Sequence, residues 1–567
     1  MKKTALTILL TAVAALAAHA QTAYDAWLIS ENNYEGTARS VAMGNAFTAL
    51  GGDLGAVSIN PAGSAVAGYS QITVTPSLTF STNTAVGVPY EGSTSPYFQR
   101  EMKNKSTSFG LPNVGFTFNF DTGRSNGLKN ITVGFVLNRT NSWCEDMYAN
   151  GTNSQTSFLA AAAADATDQI KWMNEHKAAG EPDFNKNDFL ADNAYDYMRW
   201  KDIVGYRSGM FSAYDANGQK FVGATEIVNT DGTIQQGGKV DQTYGRTTFG
   251  SKYEYLFNLA ANISDFLYIG LNLGVNSTDY SYMHYFKEAA VNTYDFENKF
   301  IDSGGNEKST YFKNAKYTYK YEMEGNGIFG KFGIIVTPGA GFRFGAAVQT
   351  PTAYTITENW QDSAETTFTD SAFDADASSP VGPDYNRQKY NMRTPWRGSF
   401  GAAYTLGKFA VFSVDYELAG FGGMRYKLDR HDMSDEQINF IETLNDDIAN
   451  AYGTAHYLRV GAEIKPFSTI AVRAGYNMSS AAQVNYYDEY YEEYLALPKT
   501  YGHNVSFGLG YSSNRSFFAD IACRYTFATS EHIYPYSDYL ADYNILSPEI
   551  LNKHSNWKLL LTLGWRF

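Results

Sequence analysis

The chain ends on an alternating stripe. Trp557, Leu559, Leu561, Leu563, Trp565 and Phe567 share one set of positions, and Asn556, Lys558, Thr562, Gly564 and Arg566 the other, where Leu560 is the single apolar intruder. A period of two puts the sets on opposite faces of a strand. An apolar face with aromatics at both ends, stopping on an aromatic, suits the closing strand of a lipid-facing barrel. The same template can be sought upstream, and an even count would make the chain a barrel of the pore or transporter kind.

Composition agrees. The chain has 43 tyrosines, 37 phenylalanines and 50 glycines, yet its mean hydropathy is polar. Alternating lipid-facing and water-facing residues cancel in such an average. The N-terminus reads as a signal peptide: Lys2 and Lys3, an apolar core from Ala5 to Ala18, and a small-x-small site at Ala18-His19-Ala20, with cleavage expected after Ala20. Nothing else supplies the ~18 apolar residues of a spanning helix. The expected location is therefore the outer membrane of a Gram-negative bacterium. Cleavage removes two lysines, so 44 basic side chains become 42 against 58 acidic ones. That balance argues against nucleic acid, whose binding relies on basic patches. Cys144 and Cys523 point to different faces, and a pair is too few for a metal site.

Fourteen segments fit the alternating template. They lie near 71–80, 108–120, 131–143, 246–263, 266–285, 317–336, 341–357, 389–405, 408–427, 455–466, 468–486, 500–513, 516–533 and 555–567. Short connections such as Leu406-Gly407-Lys408 and Lys465-Pro466-Phe467-Ser468 alternate strictly with long polar ones at 144–245, 286–316, 358–388, 428–454, 487–499 and 534–554. Outer-membrane barrels sort their loops in this way, with tight periplasmic turns and long extracellular loops. The expected fold is all-β, a 14-stranded antiparallel transmembrane barrel. Two loops are expected to carry helices, at Ser157 to Ala178 and Ser434 to Ala451.

Residues 21–70 have a different texture, rich in glycine and alanine and without sustained alternation. A short helix is expected through Ala42–Leu50, broken by Gly51-Gly52, with a turn at Asn60-Pro61. Small residues suit close packing inside a barrel wall. The expected organisation is a signal peptide at 1–20, an N-terminal hatch, or plug, at 21–70 and the barrel at 71–567.

The run GTARSVAMGNAFTALGGDLGAVSINPAG, from Gly36 to Gly63, resembles the hatch of the FadL/TodX-type outer-membrane transporters of hydrophobic compounds, in the form found in Bacteroidetes. Asn60-Pro61-Ala62 is similar to the family's hatch motif. The resemblance implies a fourteen-stranded barrel with an N-terminal plug. It also implies uptake of apolar or amphipathic small molecules such as long-chain fatty acids, by extracellular capture, hatch movement and sideways exit through the wall. The chain is longer than a typical member, chiefly through the loop at 144–245.

Asn60, Pro61, Ala62 and Gly63 are the candidate hatch or gating element: Asn can tie the turn to the wall, Pro stiffens it, and Ala and Gly permit close approach. Arg343, Arg473, Arg524 and Arg566 fall on lumen-facing positions. They could hold the hatch or a ligand carboxylate, or pair with interior acids such as Asp415 and Glu417. Gly110 and Pro112 mark a possible kink in the second strand. No enzyme is expected, since none of the seven histidines of the mature chain lies in a nucleophile motif and no metal-ligand cluster is visible. No cofactor is expected. Expected partners are a hydrophobic small molecule, outer-membrane lipid and lipopolysaccharide, and the barrel-assembly machinery at the C-terminal strand. The barrel is expected as a monomer. The alternatives are a haem receptor, for which His284 with Tyr285 or His532 with Tyr534 could supply axial ligands, and a non-transporting barrel that shuttles surface proteins.

Overall fold

The computed structural model describes residues 22–89, 97–229, 231–301, 307–382, 386–428, 431, 433–488, 493–513, 516–536 and 546–567. The proposed signal peptide lies outside them. Among the described residues, fourteen antiparallel strands form one closed barrel. They are β1 (Gln71–Val88), β2 (Met102–Asp121), β3 (Leu128–Asn153), β4 (Val240–Ile263), β5 (Leu267–Ala290) and β6 (Glu307–Gly339). β7 runs in two pieces (Phe342–Gln349 and Ala353–Phe368), as does β8 (Arg387–Arg393 and Arg397–Leu406). β9 (Ala410–Gly420), β10 (Thr454–Phe467), β11 (Ile470–Ser480), β12 (Tyr501–Ser512), β13 (Phe517–Ile533) and β14 (Glu549–Arg566) complete the set. The closure pairs β1 with β14, from Gln71 opposite Arg566 to Val88 opposite Glu549.

Alternation explains the wall. On β14, Trp557, Leu559, Leu561 and Trp565 are exposed, whereas Lys558, Leu560 and Thr562 are buried inward. Leu271 and Leu273 on β5 and Phe332 on β6 continue the outward apolar belt, which only lipid would cover. Leu560, the intruder on the inner face, packs with Ala522 against Ala38, Val41 and Ala42 of the N-terminal segment.

Most strands outrun their sequence-based limits at the end carrying the long connections. β6 has 33 residues, whereas a tilted membrane-spanning strand needs about 9–11. Above Ile328 its outward face changes to Asn326, Glu324, Glu322 and Lys320, so the upper wall stands in water. β7 and β8 break at the same level, at Thr350-Pro351-Thr352 and Thr394-Pro395-Trp396, because proline cannot donate to the ladder.

Residues 154–229 and 231–239, between β3 and β4, fold into a cap of their own. The helix Phe158–His176 has Ser157 as N-cap, and the Glu288 carboxylate of β5 accepts from Ser157 Oγ at 2.5 Å and Phe158 N at 2.7 Å. A buried carboxylate at a helix N-terminus meets both the free amides and the helix dipole. Phe158, Ile170 and Met173 of this helix join Phe286, Phe312 and Phe368 of the upper wall in one apolar core. A second short helix of the cap, Trp200–Arg207, contributes Trp200 to a separate cluster at the mouth. The helix expected in the later loop spans Asp435–Ala451, with a capping box at Ser434 and Gln437.

Candidate functional site

Residues 22–70 pack against the inward faces of the strands. The segment begins with helix Ala23–Ser30, whose Ala26, Leu28 and Ile29 pack among Trp200, Tyr321, Tyr354, Tyr390, Met392 and Phe421. The expected helix at 42–50 is displaced: helical turns run from Ala38 to Ala42. Gly44 and Asn45 both take positive φ, at 62° and 59°, a conformation that ends an α-helix. A Cβ on Gly44 would meet the Tyr476 backbone at 2.8 Å, so the turn's close approach to β11 requires glycine.

Asn60 is fully buried and caps a short 3-10 turn over Pro61–Val66. Its Oδ1 accepts from Ala62 N at 3.0 Å, while Nδ2 donates to Thr48 O at 2.7 Å and Ile334 O at 3.1 Å. One amide thus joins two turns of the segment to β6. A Cβ on Gly333 would stand 2.0 Å from Asn60 Oδ1, and one on Gly270 would stand 2.3 Å from Ala62 N. The Pro61 carbonyl accepts from Asn258 Nδ2 at 3.1 Å. Gly63 lies against Gly51, with Gly52 N donating to Gly63 O at 2.8 Å.

Charged groups hold much of the remaining interface. Glu35 accepts from Arg139 Nε at 2.7 Å and from Lys558 Nζ, and Arg524 lies 4.0 Å away. Glu417 pairs with Arg397 at 2.9 Å and Arg459 at 2.7 Å. Glu463 joins Arg39 of the segment to Arg473 of the wall, at 2.9 and 2.6 Å, and Arg473 also pairs with Asp520. Lys252 donates to the carbonyls of Ile29 and Glu31. Buried ions in a dry interior need such geometry to offset the loss of hydration.

The four arginines singled out by sequence divide accordingly. Arg343 donates to Leu50 O at 2.8 Å and Arg524 to Tyr34 O at 3.2 Å. Arg473 reaches the segment through Glu463. Arg566 donates to Ser512 Oγ and lies over the rings of Tyr69 and Phe518. Of the named acids, Glu417 pairs with Arg397 and Arg459 instead, and Asp415 accepts from Thr48 N at 2.6 Å. Neither pairing involves those four arginines. Arg139, Lys558, Lys252 and Glu35 are not among the expected site residues, although Lys252 and Lys558 fall on the inward set of their strands.

The wall is irregular where β2 passes Pro112. Leu111 and Pro112 oppose the single residue Pro76, because the register steps from Thr75–Asn113 to Ser77–Gly110. Such a bulge bends its strand. The β2–β3 ladder extends from Asp121–Asn130 only as far as Asn113–Asn138. Beyond it β3 shifts register against β4 at Thr140 and continues paired to β4 alone, while residues 102–110 of β2 remain paired to β1 alone. Arg139 fills the space beside Gly110, where a Cβ would stand 1.9 Å from its guanidinium. The N–H groups of Asn33 and Glu35 donate to the Thr140 and Arg139 carbonyls, so the segment meets the wall at this lapse.

No family model matches the chain, and no curated protein matches it. Among solved structures it is similar to the toluene transporter TodX of Pseudomonas putida, with 11% identity, a TM-score of 0.45, and coverage of 94% of this chain and 98% of that one. A Pseudomonas aeruginosa FadL homologue gives 10% identity and a TM-score of 0.48 over 94% of this chain and 98% of the other. The toluene transporter TbuX of Ralstonia pickettii gives 12%, 0.42, 94% and 98%.

The two histidine–tyrosine pairs lie in different settings. His284 is ringed by Tyr244, Tyr282, Tyr317 and Tyr319, while adjacent Tyr285 lies on the opposite face under Lys316. His532 bonds Glu549 at 2.5 Å in an exposed position. Cys144 and Cys523 are free thiols. Among the described residues, no group of His, Cys, Asp and Glu could hold a metal ion.

Proposed function

We propose that this barrel takes up hydrophobic or amphipathic small molecules across the outer membrane, with residues 22–70 as its hatch and the β2–β3 lapse as the exit. The observation that carries this reading is the loss of pairing beyond Asn113–Asn138, at the point where Asn33 and Glu35 meet β3. The vertical route argues for the same exit. An apolar solute crossing the hatch–wall interface would separate Glu35 from Arg139 and Lys558, and Arg39 from Glu463, without replacing any bond. Sideways passage ends in hydrocarbon, its better solvent.

In this reading the cap and upper wall receive the solute. The aromatic and methionine cluster around Trp200, Tyr321, Tyr390 and Met392 is the receiving surface, and it is apolar and polarisable. The Ala23–Ser30 helix fills it when no solute is bound. Asn60, Pro61, Ala62 and Gly63 are the hinge through which the hatch is tied to β6 and β4. The chain carries out no chemistry on its cargo.

Uptake by proteoliposomes and by cells expressing the barrel tests this. Labelled long-chain fatty acid and toluene are expected to accumulate above the level of barrel-free controls, while a small sugar causes no liposome swelling. Swelling with the sugar and no accumulation of either apolar probe would identify an open porin instead.

A further inference from the structure

We propose that the outward face of β8, just above the lipid belt, is a binding site for the phosphorylated headgroup of an outer-leaflet glycolipid. The first piece of β8 presents Arg387, Lys389, Asn391 and Arg393 outward, alternating with buried Tyr390 and Met392. The strand is paired on one side with β7. On the other it is paired with the two-residue strand Arg425–Tyr426, which follows β9.

That second pairing sets Arg393 directly opposite Arg425. Like charges directly opposite on neighbouring strands repel. The next residue on the same face, exposed Lys427, donates its backbone N–H to Asn391 O at 2.8 Å. Arg393, Arg425 and Lys427 therefore cluster, and Lys389 and Arg387 continue the positive face up the strand.

The neighbouring outward positions on β7 are Ala353, Thr355, Thr357 and Asn359, none of them acidic. The nearest carboxylates in register, Glu324 and Glu322, are one strand further away on β6, opposite Thr357 and Asn359. The Arg425 guanidinium donates to the carbonyls of Gly422 and Met424, at 2.7 and 2.6 Å. These bonds orient its charge but do not neutralise it. Among the described residues, no ion pair involves any of the five side chains.

Height along the strand selects the occupant. Trp396 is 59% exposed and Phe400 58%, and Val348 on β7 is 45% exposed. These residues form the upper edge of the apolar belt. Arg393 precedes Trp396 by three residues, roughly 10 Å along a strand. Acyl chains laid on Val348, Trp396 and Phe400 would bring a headgroup phosphate level with Arg393 and Arg425. Two planar guanidinium forks can then bind one phosphate bidentately, and the anion turns a repulsive pair into a bridged one. Tryptophan at the interface suits the same depth. A soluble anion would gain the charge contacts but not the apolar ones.

The test uses the purified full-length barrel in phosphate-free detergent, probed with bisphosphorylated lipid A, the same lipid dephosphorylated, and inorganic phosphate. Lipid A should bind the wild type and raise its unfolding temperature. R393Q/R425Q should bind it roughly tenfold more weakly, as expected for losing charge-assisted hydrogen bonds. R393Q alone, without lipid, should be at least as stable as the wild type because the repulsion is gone, which controls for misfolding. Equal binding of lipid A by wild type and the double variant would overturn the proposal, as would equal binding of the dephosphorylated lipid. Inorganic phosphate giving the full thermal shift would also overturn it, assigning a free-anion site.

Discussion

Glu35 sits among cations supplied by strands far apart in the chain: Arg139 from β3, Arg524 from β13 and Lys558 from β14. It is completely buried, and its second oxygen also accepts from Ser142 Oγ at 2.8 Å. Replacing it with alanine leaves buried positive charge without a partner, at a cost of about 3–5 kcal/mol. The Glu35→Ala barrel should therefore keep its closed wall but release residues 22–70. Hydrogen exchange would detect the release as faster exchange in that segment alone, while β5 and β6 stay protected. Unchanged protection of 22–70 would mean that Glu35 does not hold the segment. The contribution of Asn60 differs in kind, because its amide makes several neutral bonds to backbone carbonyls. The Asn-Pro-Ala run made Asn60 legible in the sequence. The Glu35 cluster could not be found that way, because from Glu35 to Lys558 its members span 523 residues and only closure of the barrel brings them together. The available signal was Arg524 and Lys558, cations at positions that the alternation of their strands turns inward.

At the scale of elements, the strands could be read wherever lipid enforces alternation. Their upper ends could not, because above Asn326 on β6 and Ser277 on β5 both faces are polar or aromatic and the period-two contrast fades. In the sequence the cap reads as a loop with one helix. Its order comes from Phe286, Phe312 and Phe368 of the upper wall, which no local pattern in 154–239 reveals. The short helix Trp200–Arg207 supplies a pH prediction. Burial pushes the Asp202 carboxyl up to about 6, against the pull of Arg199 beside it. A carboxyl raised on folding binds its proton more tightly in the folded state. Its contribution is therefore fully present below the ordinary aspartate pKa of about 3.9 and declines as pH rises through about 6. Amide protection of residues 200–207, corrected for intrinsic exchange, should fall between pH 4 and pH 7, and Asp202→Asn should flatten that dependence. An equal fall in the variant would assign the effect to another group.

Three features of the whole molecule act together: a closed wall with an apolar belt, charged and amide contacts between residues 22–70 and the inward faces, and a ladder that stops between β2 and β3. In the proposed reading the first two disfavour a vertical apolar path, and the third leaves the sideways route. The C-terminal stripe tells the same story from outside, since Leu560 breaks it at the point where the N-terminal segment needs an apolar contact. The bulge at Pro112 is where this account is most exposed. Deleting Pro112 would leave Leu111 opposite Pro76 and restore an even register between Thr75–Asn113 and Ser77–Gly110, straightening β2 toward β3. The decisive measurement is uptake of a labelled long-chain fatty acid by cells carrying the Pro112 deletion, with heat-modifiable gel mobility verifying that the barrel is folded and inserted. The account predicts that uptake falls to the level of cells lacking the barrel. Undiminished uptake through the folded variant, with the β2–β3 ladder shown to be extended, would contradict sideways exit at this site.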